Sequence, residues 1–422
     1  MTLVATIPVW LTLLLAFPVL WIGGLVLRRV PGLGRVAIPA PVVGGLLFAL
    51  AVLAVNLSGG ALRCATGTAA PWWTWLITAE PEWWTGPSKA ANLPFLAVFF
   101  ASVGLGASWA TVRRAGRQVG IFLLVVSLLA VLQNALAVAL AMGLGVSPLL
   151  GLVCGSMSLT GGHATTLGFA GEFERAGLAG AQTFGMAAAT LGLVSGALLS
   201  GPVGNRLIRR HGLSSTAGAA DSTAPGAAAP ASPRTLRRVL VNVLLLAICV
   251  KAGAWVSHGL QRTGLVFPVF VGTLFAGVGL RFALDRWRPA WFDLRLMESL
   301  ASGALAVFLA TAMMTLNLRE LAYVAGPMLV LLSVQIALMV LFARWVTFPL
   351  MGRDYDAAVM AGGHCGFGLG STATAVAGMK ALVEKGGAAP RAFLIVPLVG
   401  GFLIDLVNAL NITGFVSLFR PH

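Results

Sequence analysis

Along this chain, apolar runs of about 20 residues alternate with short breaks rich in Arg, Gly or Pro, and a run of that length can cross a bilayer as a helix. Such runs predict spans at 5–27, 37–57, 92–112, 119–142 and 183–204, and again at 238–257, 266–282, 299–317, 325–348 and 393–416. Two further segments, 149–170 and 356–380, are less apolar, rich in Gly, Ser and Thr, and each carries a histidine. Their polarity does not suit a helix that faces lipid.

Composition agrees with this pattern. Of 422 residues, 58% are hydrophobic and 10% charged, and the mean hydropathy is +0.92. Soluble domains carry about 25% charged residues. A soluble enzyme, a disordered regulator and a nucleic-acid-binding domain are therefore excluded, and the bilayer is the surrounding partner. Residues 1–27 hold no Lys or Arg ahead of the first apolar run, so that run is predicted to stay as the first helix and not to be cleaved as a signal peptide. Cys64, Cys154, Cys249 and Cys365 are scattered without a CxxC pair, which offers neither a disulfide framework nor a zinc site.

The net charge of +15, from 28 Lys+Arg against 13 Asp+Glu, would suit a polyanion partner if it were spread over a surface. It is instead concentrated at the ends of spans. Lys and Arg collect on the cytoplasmic side, which places Arg28, Arg29 and Arg35 inside after the first span and Arg113, Arg114 and Arg117 inside after the third. Arg206, Arg209, Arg210, Arg234, Arg237 and Arg238 make the central connection cytoplasmic, and both termini are predicted outside. Only Arg63, Lys89, Arg175, Arg262, Arg319 and Arg420 fall on the opposite side, while Lys251 lies within a span and is predicted to snorkel outward.

Parity then constrains the two polar segments. Residues 143–148 are outside and Arg206–Arg210 inside, and 183–204 already supplies one crossing, so 149–170 must return to the side it entered from. In the second half the same argument makes 356–380 dip in from the cytoplasm. Both are predicted re-entrant segments. Residues 206–237, rich in Ala, Ser, Pro and Gly, read as a flexible linker between an N-terminal repeat, 1–205, and a C-terminal repeat, 238–422. The irregular stretch 58–91 holds Trp72, Trp73, Trp75, Trp83 and Trp84 and is predicted as an external interfacial belt, with a binding lid as the sharper alternative.

The halves share sequence in chain order. Val43-Gly44-Gly45-Leu46 echoes Val271-Gly272-Thr273-Leu274, Gln133 echoes Gln335, and Gly161-Gly162-His163 echoes Gly362-Gly363-His364. Five crossings per half invert the second copy. The predicted class is an all-α polytopic membrane protein of two inverted-topology repeats, each of five transmembrane helices and a re-entrant Gly-rich segment. This is an architecture of secondary transporters that bind near the midplane at discontinuous helices.

The candidate chemistry lies in the few polar groups inside the spans. Gly161, Gly162, Gly363 and Gly366 let backbone groups approach a ligand, and a helix N-terminus after each turn suits a carboxylate. The hydroxyls of Thr165, Thr372 and Thr374 can serve a carboxylate or a partly dehydrated cation. The bland reading makes these glycines packing contacts only. His163 and His364 divide evenly between ligand contact and holding backbone carbonyls. Gln133 and Asn134 suit either substrate hydrogen bonds or interhelical contacts. Asp405, deep in the last span with Asn408 one turn on, reads as a hard-oxygen Na⁺ site or a proton site. No Walker-type or HExxH motif is present, which removes the sequence evidence for ATP-driven transport or zinc proteolysis. A passive channel, and an intramembrane hydrolase built on His364, Cys365 and Asp405, are the readings from other classes.

The runs YDAAVMAGGHCGFGLGSTATAVAGM (355–379), FLIVPLVGGFLIDLVNAL (393–410), IPAPVVGGLLFAL (38–50), VGIFLLVVSLLAVLQNAL (119–136) and LTGGHATT (159–166) resemble the bacterial sodium/glutamate symporter family over nearly the whole chain. That resemblance implies Na⁺-coupled uptake of L-glutamate across the inner membrane, Na⁺ as coupling ion with no cofactor, a homodimer and elevator-like movement. Its functional positions carry over to Gln133, Asn134, Gly161, Gly162, His163, Gly363, His364, Gly366, Asp405 and Asn408. Three residues depart from the family pattern: Ala40 in place of Glu, Ala164 in place of Gly, and Ala373 in place of Pro. They bear on substrate identity more than on architecture, and another anionic amino acid or dicarboxylate, or H⁺ as coupling ion, is the alternative.

Overall fold

The structure is a computed structural model and describes residues 4–30, 38–58, 60–68, 70–79, 89–106, 116–215, 235–262, 268–287 and 291–419. Arg35, Trp83, Trp84, Arg113, Arg114, Arg234, Arg288, Arg420 and most of the predicted linker lie outside the described residues.

The N-terminal half contributes α1 (Val9–Arg29), α2 (Ala40–Leu57), α3 (Leu93–Gly106), α4 (Arg117–Gly143), α5 (Pro148–Leu152), α6 (Gly162–Arg175) and α7 (Ala181–His211). The C-terminal half contributes α8 (Leu236–Gln261), α9 (Val269–Trp287), α10 (Leu294–Met314), α11 (Leu318–Phe342), α12 (Tyr355–Gly368), α13 (Thr372–Gly386), α14 (Pro390–Leu398) and α15 (Ile404–Phe419). One-turn π segments extend α5 through Val153–Met157, extend α11 through Ala343–Thr347, and join α14 to α15 through Val399–Leu403. Among the described residues, eight helices are long and apolar enough to cross a membrane. Helix α3 is apolar but shorter, and α9 carries Arg281, Asp285 and Arg286 in its last two turns.

Local chemistry sets where the polar helices start. Ser147 accepts the Leu149 N–H ahead of Pro148, Asp354 accepts the Ala357 N–H, and Ser371 accepts the Thr374 N–H. Each cap pairs one donor that a helix N-terminus otherwise leaves free.

Two units are distinguishable by packing. Helices α1–α3 and α8–α10, the first three of each half, pack on one another, whereas α4–α7 and α11–α15 form the second unit around α7, α12 and α4. Within the first unit, the same close crossing occurs in both halves. A Cβ on Gly44 would lie 2.0 Å from Val19 O, and one on Gly272 would lie 2.1 Å from Gly253 O. Backbone-to-backbone approach of this kind is available only to small residues. Gly272→Ala is expected to force α8 and α9 apart and to destabilise by about 1–3 kcal/mol, read as a lower thermal midpoint in detergent. Gly279→Ala, on an open face of the same helix, should leave that midpoint unchanged or raised.

The chain is nearly but not wholly helical. The run 5–27 begins as a strand, β1 (Val4–Ile7), paired in parallel with β2 (Ala61–Cys64), and β3 (Gly67–Thr68) pairs antiparallel with β4 (Lys89–Ala90). Thr6 and Ile7 are β-branched and Pro8 follows them, so the helix starts only beyond Pro8. The stretch predicted as irregular, 58–91, thus holds β2, β3, β4 and a helical turn over Pro71–Ile77. Trp10 stacks on Trp72, with ring centroids 5.2 Å apart, and Trp73 meets both rings edge-on. Lys251 has a definite destination. Its Nζ donates to Trp75 O at 2.8 Å and Thr78 O at 2.6 Å, beside the Trp75 ring, and so anchors this segment to α8.

Candidate functional site

The π segment after α5 departs from helical geometry at Gly155, at φ −91°, ψ −144°. Three amides from neighbouring helices hold the residue after this break. The Ser156 N–H donates to Asn134 Oδ1 at 2.8 Å, Asn408 Nδ2 donates to Ser156 O at 3.1 Å, and Asn411 Nδ2 donates to Ser156 Oγ at 3.3 Å. An interrupted helix leaves polar backbone groups that must find partners when buried. Asn134 and Asn408 supply them here, so the Asn408 nitrogen positions the break.

The breaks of the two polar segments meet. Gly162 sits at φ +65°, and a Cβ there would come within 2.8 Å of Gly370 O, between α12 and α13. Gln133 bridges the same two regions. Its Oε1 accepts from Thr160 Oγ1 at 2.6 Å and its Nε2 donates to Gly368 O at 3.0 Å, while Gln335 Nε2 donates to Gln133 O at 2.7 Å. Gln133 and Gln335 are fully buried. Beside this bridge, Asn134 Nδ2 and Gln335 Oε1 are buried with no hydrogen-bond partner among the described residues. One is a donor and the other an acceptor. Unpaired amide atoms in an apolar interior are costly unless something meets them.

The other candidate residues divide by surroundings. His163 Nε2 lies 3.1 Å from Thr190 Oγ1, whose own proton goes to Met186 O, so the imidazole donates to Thr190. Thr165 is buried against Gly161. Thr372 Oγ1 donates to Gly400 O at 2.6 Å, tying the start of α13 to the π segment of the last span, and Thr374 is bonded to Ser371. Gly363 and Gly366 face Met379 and Ala375, which makes them the contact that lets α12 and α13 lie together. His364 is walled by Phe122, Phe342 and Phe367, and its Nδ1 meets Thr347 Oγ1 at 2.8 Å. Its Nε2 is buried without a partner among the described residues. Asp405 is half-buried in the first turn of α15 and has no hydrogen-bond or ion-pair partner among the described residues. Thr160, in the polar run 156–166, and Gln335, the echo of Gln133, belong to the bridge, and Ser156 of the same run sits at the break. Thr190 and Thr347 carry no sequence signal.

A cavity of about 590 Å³ lies where the two units face one another, lined by Asn92, Gly168, Glu172, Gln182, Phe270 and Thr315 among others. Gln182, at the start of α7, spans this boundary, with Nε2 donating to Ala312 O and Thr315 Oγ1, each at 3.0 Å.

Spans around a polar interior built from interrupted helices define a multi-pass membrane protein of the transporter kind. The chain belongs to the sodium/glutamate symporter family, whose model matches residues 84–388. It is 40% identical to the sodium/glutamate symporter of Escherichia coli (strain K12) over 411 residues, 96% of this chain and 97% of the relative. It is 36% identical to the sodium/glutamate symporter of Haemophilus influenzae, covering 94% of each chain. A solved structure, the sodium proton antiporter MjNhaP1 from Methanocaldococcus jannaschii, aligns over 97% of this chain and 98% of that one with TM-score 0.42 and 13% identity. The family is one of transporters and not of enzymes, so the hydrolase reading of His364, Cys365 and Asp405 falls.

Proposed function

We propose that this chain couples inward movement of L-glutamate to the entry of Na⁺ across the bacterial inner membrane. The observation that carries this reading is the Gln133 bridge between two interrupted helices, flanked by an unpaired buried donor and acceptor. The donor would meet the ligand's α-carboxylate and the acceptor its ammonium. In this reading Gly161, Gly162 and His163 at the first break, and Gly363, His364 and Gly366 in the last turns of α12, with Thr165, Thr372 and Thr374, shape the substrate site. Asp405, with the Asn408 side-chain oxygen, binds Na⁺. A carboxylate free of partners is what a hard cation needs.

The polar segments act as re-entrant hairpins. The Tyr355 Oη bond to Gly387 O at 2.8 Å, which joins the start of α12 to the end of α13, supports this. The halves, 1–205 and 238–422 around the 206–237 linker, are inverted repeats, as the matching Gly44 and Gly272 crossings support. Transport proceeds by elevator-like sliding of the α4–α7 and α11–α15 unit past the other within a homodimer. The linker is cytoplasmic and both termini are outside.

Asp405→Asn is expected to lower apparent Na⁺ affinity at least about tenfold while leaving the thermal midpoint near that of the parent protein, since the carboxylate has no partner to lose. Unchanged Na⁺ activation would remove Asp405 from the ion site. A competition panel of aspartate, glutamine, succinate and D-glutamate against labelled L-glutamate, at fixed Na⁺, tests the substrate. Equal inhibition by succinate would shift the assignment to dicarboxylates.

A further inference from the structure

The last turns of α7 bring Asn205, Arg206, Arg209 and Arg210 together with Ala381 and Leu382 of α13 around an open cavity of about 870 Å³. None of these guanidinium groups has an ion pair or hydrogen bond among the described residues. Three cations within two turns repel one another, and the adjacent α7 C-terminus relieves only part of that. On the same helix, Leu191 and Leu198 are 42% and 61% exposed. Ser195 is half-buried and Pro202 exposed, and their spacing of three and four residues from the leucines makes a single stripe that runs down to Arg206 and Arg209. From Leu198 to Arg206 the helix rises about 12 Å, comparable to one leaflet's hydrocarbon depth of about 15 Å. The stripe is apolar where acyl chains would lie and cationic where a headgroup would lie.

We propose that this cavity binds the phosphodiester headgroup of an anionic phospholipid, with the acyl chain laid along Leu198 and Leu191. Guanidinium groups match phosphate oxygens with paired, charge-assisted hydrogen bonds. Arginines that served only to orient the chain would need to lie at this end of the helix. They would not need a concavity shared with a second helix, or an apolar stripe leading into it. Because α7 and α13 belong to one packing unit, the lipid travels with that unit. The inference does not depend on which substrate the protein carries.

The test uses the full chain in neutral detergent, titrated with phosphatidylglycerol, phosphatidylcholine or soluble glycerol phosphate. Retained lipid is counted by native mass spectrometry, and thermal midpoints are read in parallel. Phosphatidylglycerol should be retained and raise the midpoint, whereas phosphatidylcholine and glycerol phosphate should do neither. Arg206→Gln, Arg209→Gln and Arg210→Gln should each weaken that binding about fivefold. Arg28→Gln with Arg29→Gln, at the end of α1, should not. If an arginine variant fails to fold, Ala381→Glu, which places a carboxylate in the cavity and keeps the arginines, should abolish retention. Equal retention of phosphatidylcholine, unchanged binding by the arginine variants, or glycerol phosphate binding as tightly as the lipid would overturn the proposal.

Discussion

Gln133→Leu is expected to lower glutamate uptake at least about tenfold. The side chain accepts from Thr160 in one interrupted segment and donates to Gly368 O in the other, so leucine, close in volume, deletes both links at once. Thr160 Oγ1 and Gly368 O then lose their strong partners inside an apolar core. The two lie 3.5 Å apart and keep only that weak bond to one another, so the loss is about 1–3 kcal/mol. A loss of that size is enough to move the two tips relative to one another. Gln335→Leu removes one bond, to Gln133 O, together with the Oε1 acceptor assigned to the ligand's ammonium, so it should cost less stability than Gln133→Leu but raise the glutamate KM. A double-mutant cycle of Gln133→Leu with Thr160→Val, measured by thermal unfolding, should show coupling of about 0.5–3 kcal/mol. Additive effects would mean that the bridge does not act as a unit.

Gly162→Ala should also abolish transport, for two reasons that add. A left-handed conformation costs an alanine about 1–2 kcal/mol. Its Cβ would also sit 2.8 Å from Gly370 O, a backbone atom of the opposing segment, and overpacking of that kind costs about 1–3 kcal/mol. Gly177→Ala separates the two. Gly177 has φ +102° and open space around it, so it carries the conformational cost alone, away from the meeting point. Reduced stability with retained uptake is expected there, against lost uptake for Gly162→Ala.

Much of this architecture is legible in the chain. Runs of about 20 apolar residues recover the long helices, because in lipid the backbone must satisfy its own hydrogen bonds within each span. The excess of Gly, Ser and Thr around Gly161 and Gly363 marks the interrupted segments, because such residues are poor choices for a lipid-facing helix. The partners are not legible. Gln133 and Gly368 are 235 positions apart, and no local period records such a contact. Helical spacing groups Asn408 with Asp405, yet its nitrogen is committed to Ser156 O. His364 sits in a repeated motif with His163, but Phe122, from α4, helps to close it in. Hydropathy also reads Val4–Ile7 as the start of a helix, because strand and helix share apolar residues and only the pairing with Ala61–Cys64 separates them.

The central claim, Na⁺-driven glutamate uptake, is tested most directly in proteoliposomes that contain only this protein. With Na⁺ outside and K⁺ inside, labelled L-glutamate should accumulate above its equilibrium level, saturate with concentration, and collapse when the Na⁺ gradient is dissipated. A carrier concentrates its substrate only if the ion and the substrate jointly bias its conformational states. Accumulation that persists without a Na⁺ gradient, or equilibration that never exceeds the external concentration, would contradict the account.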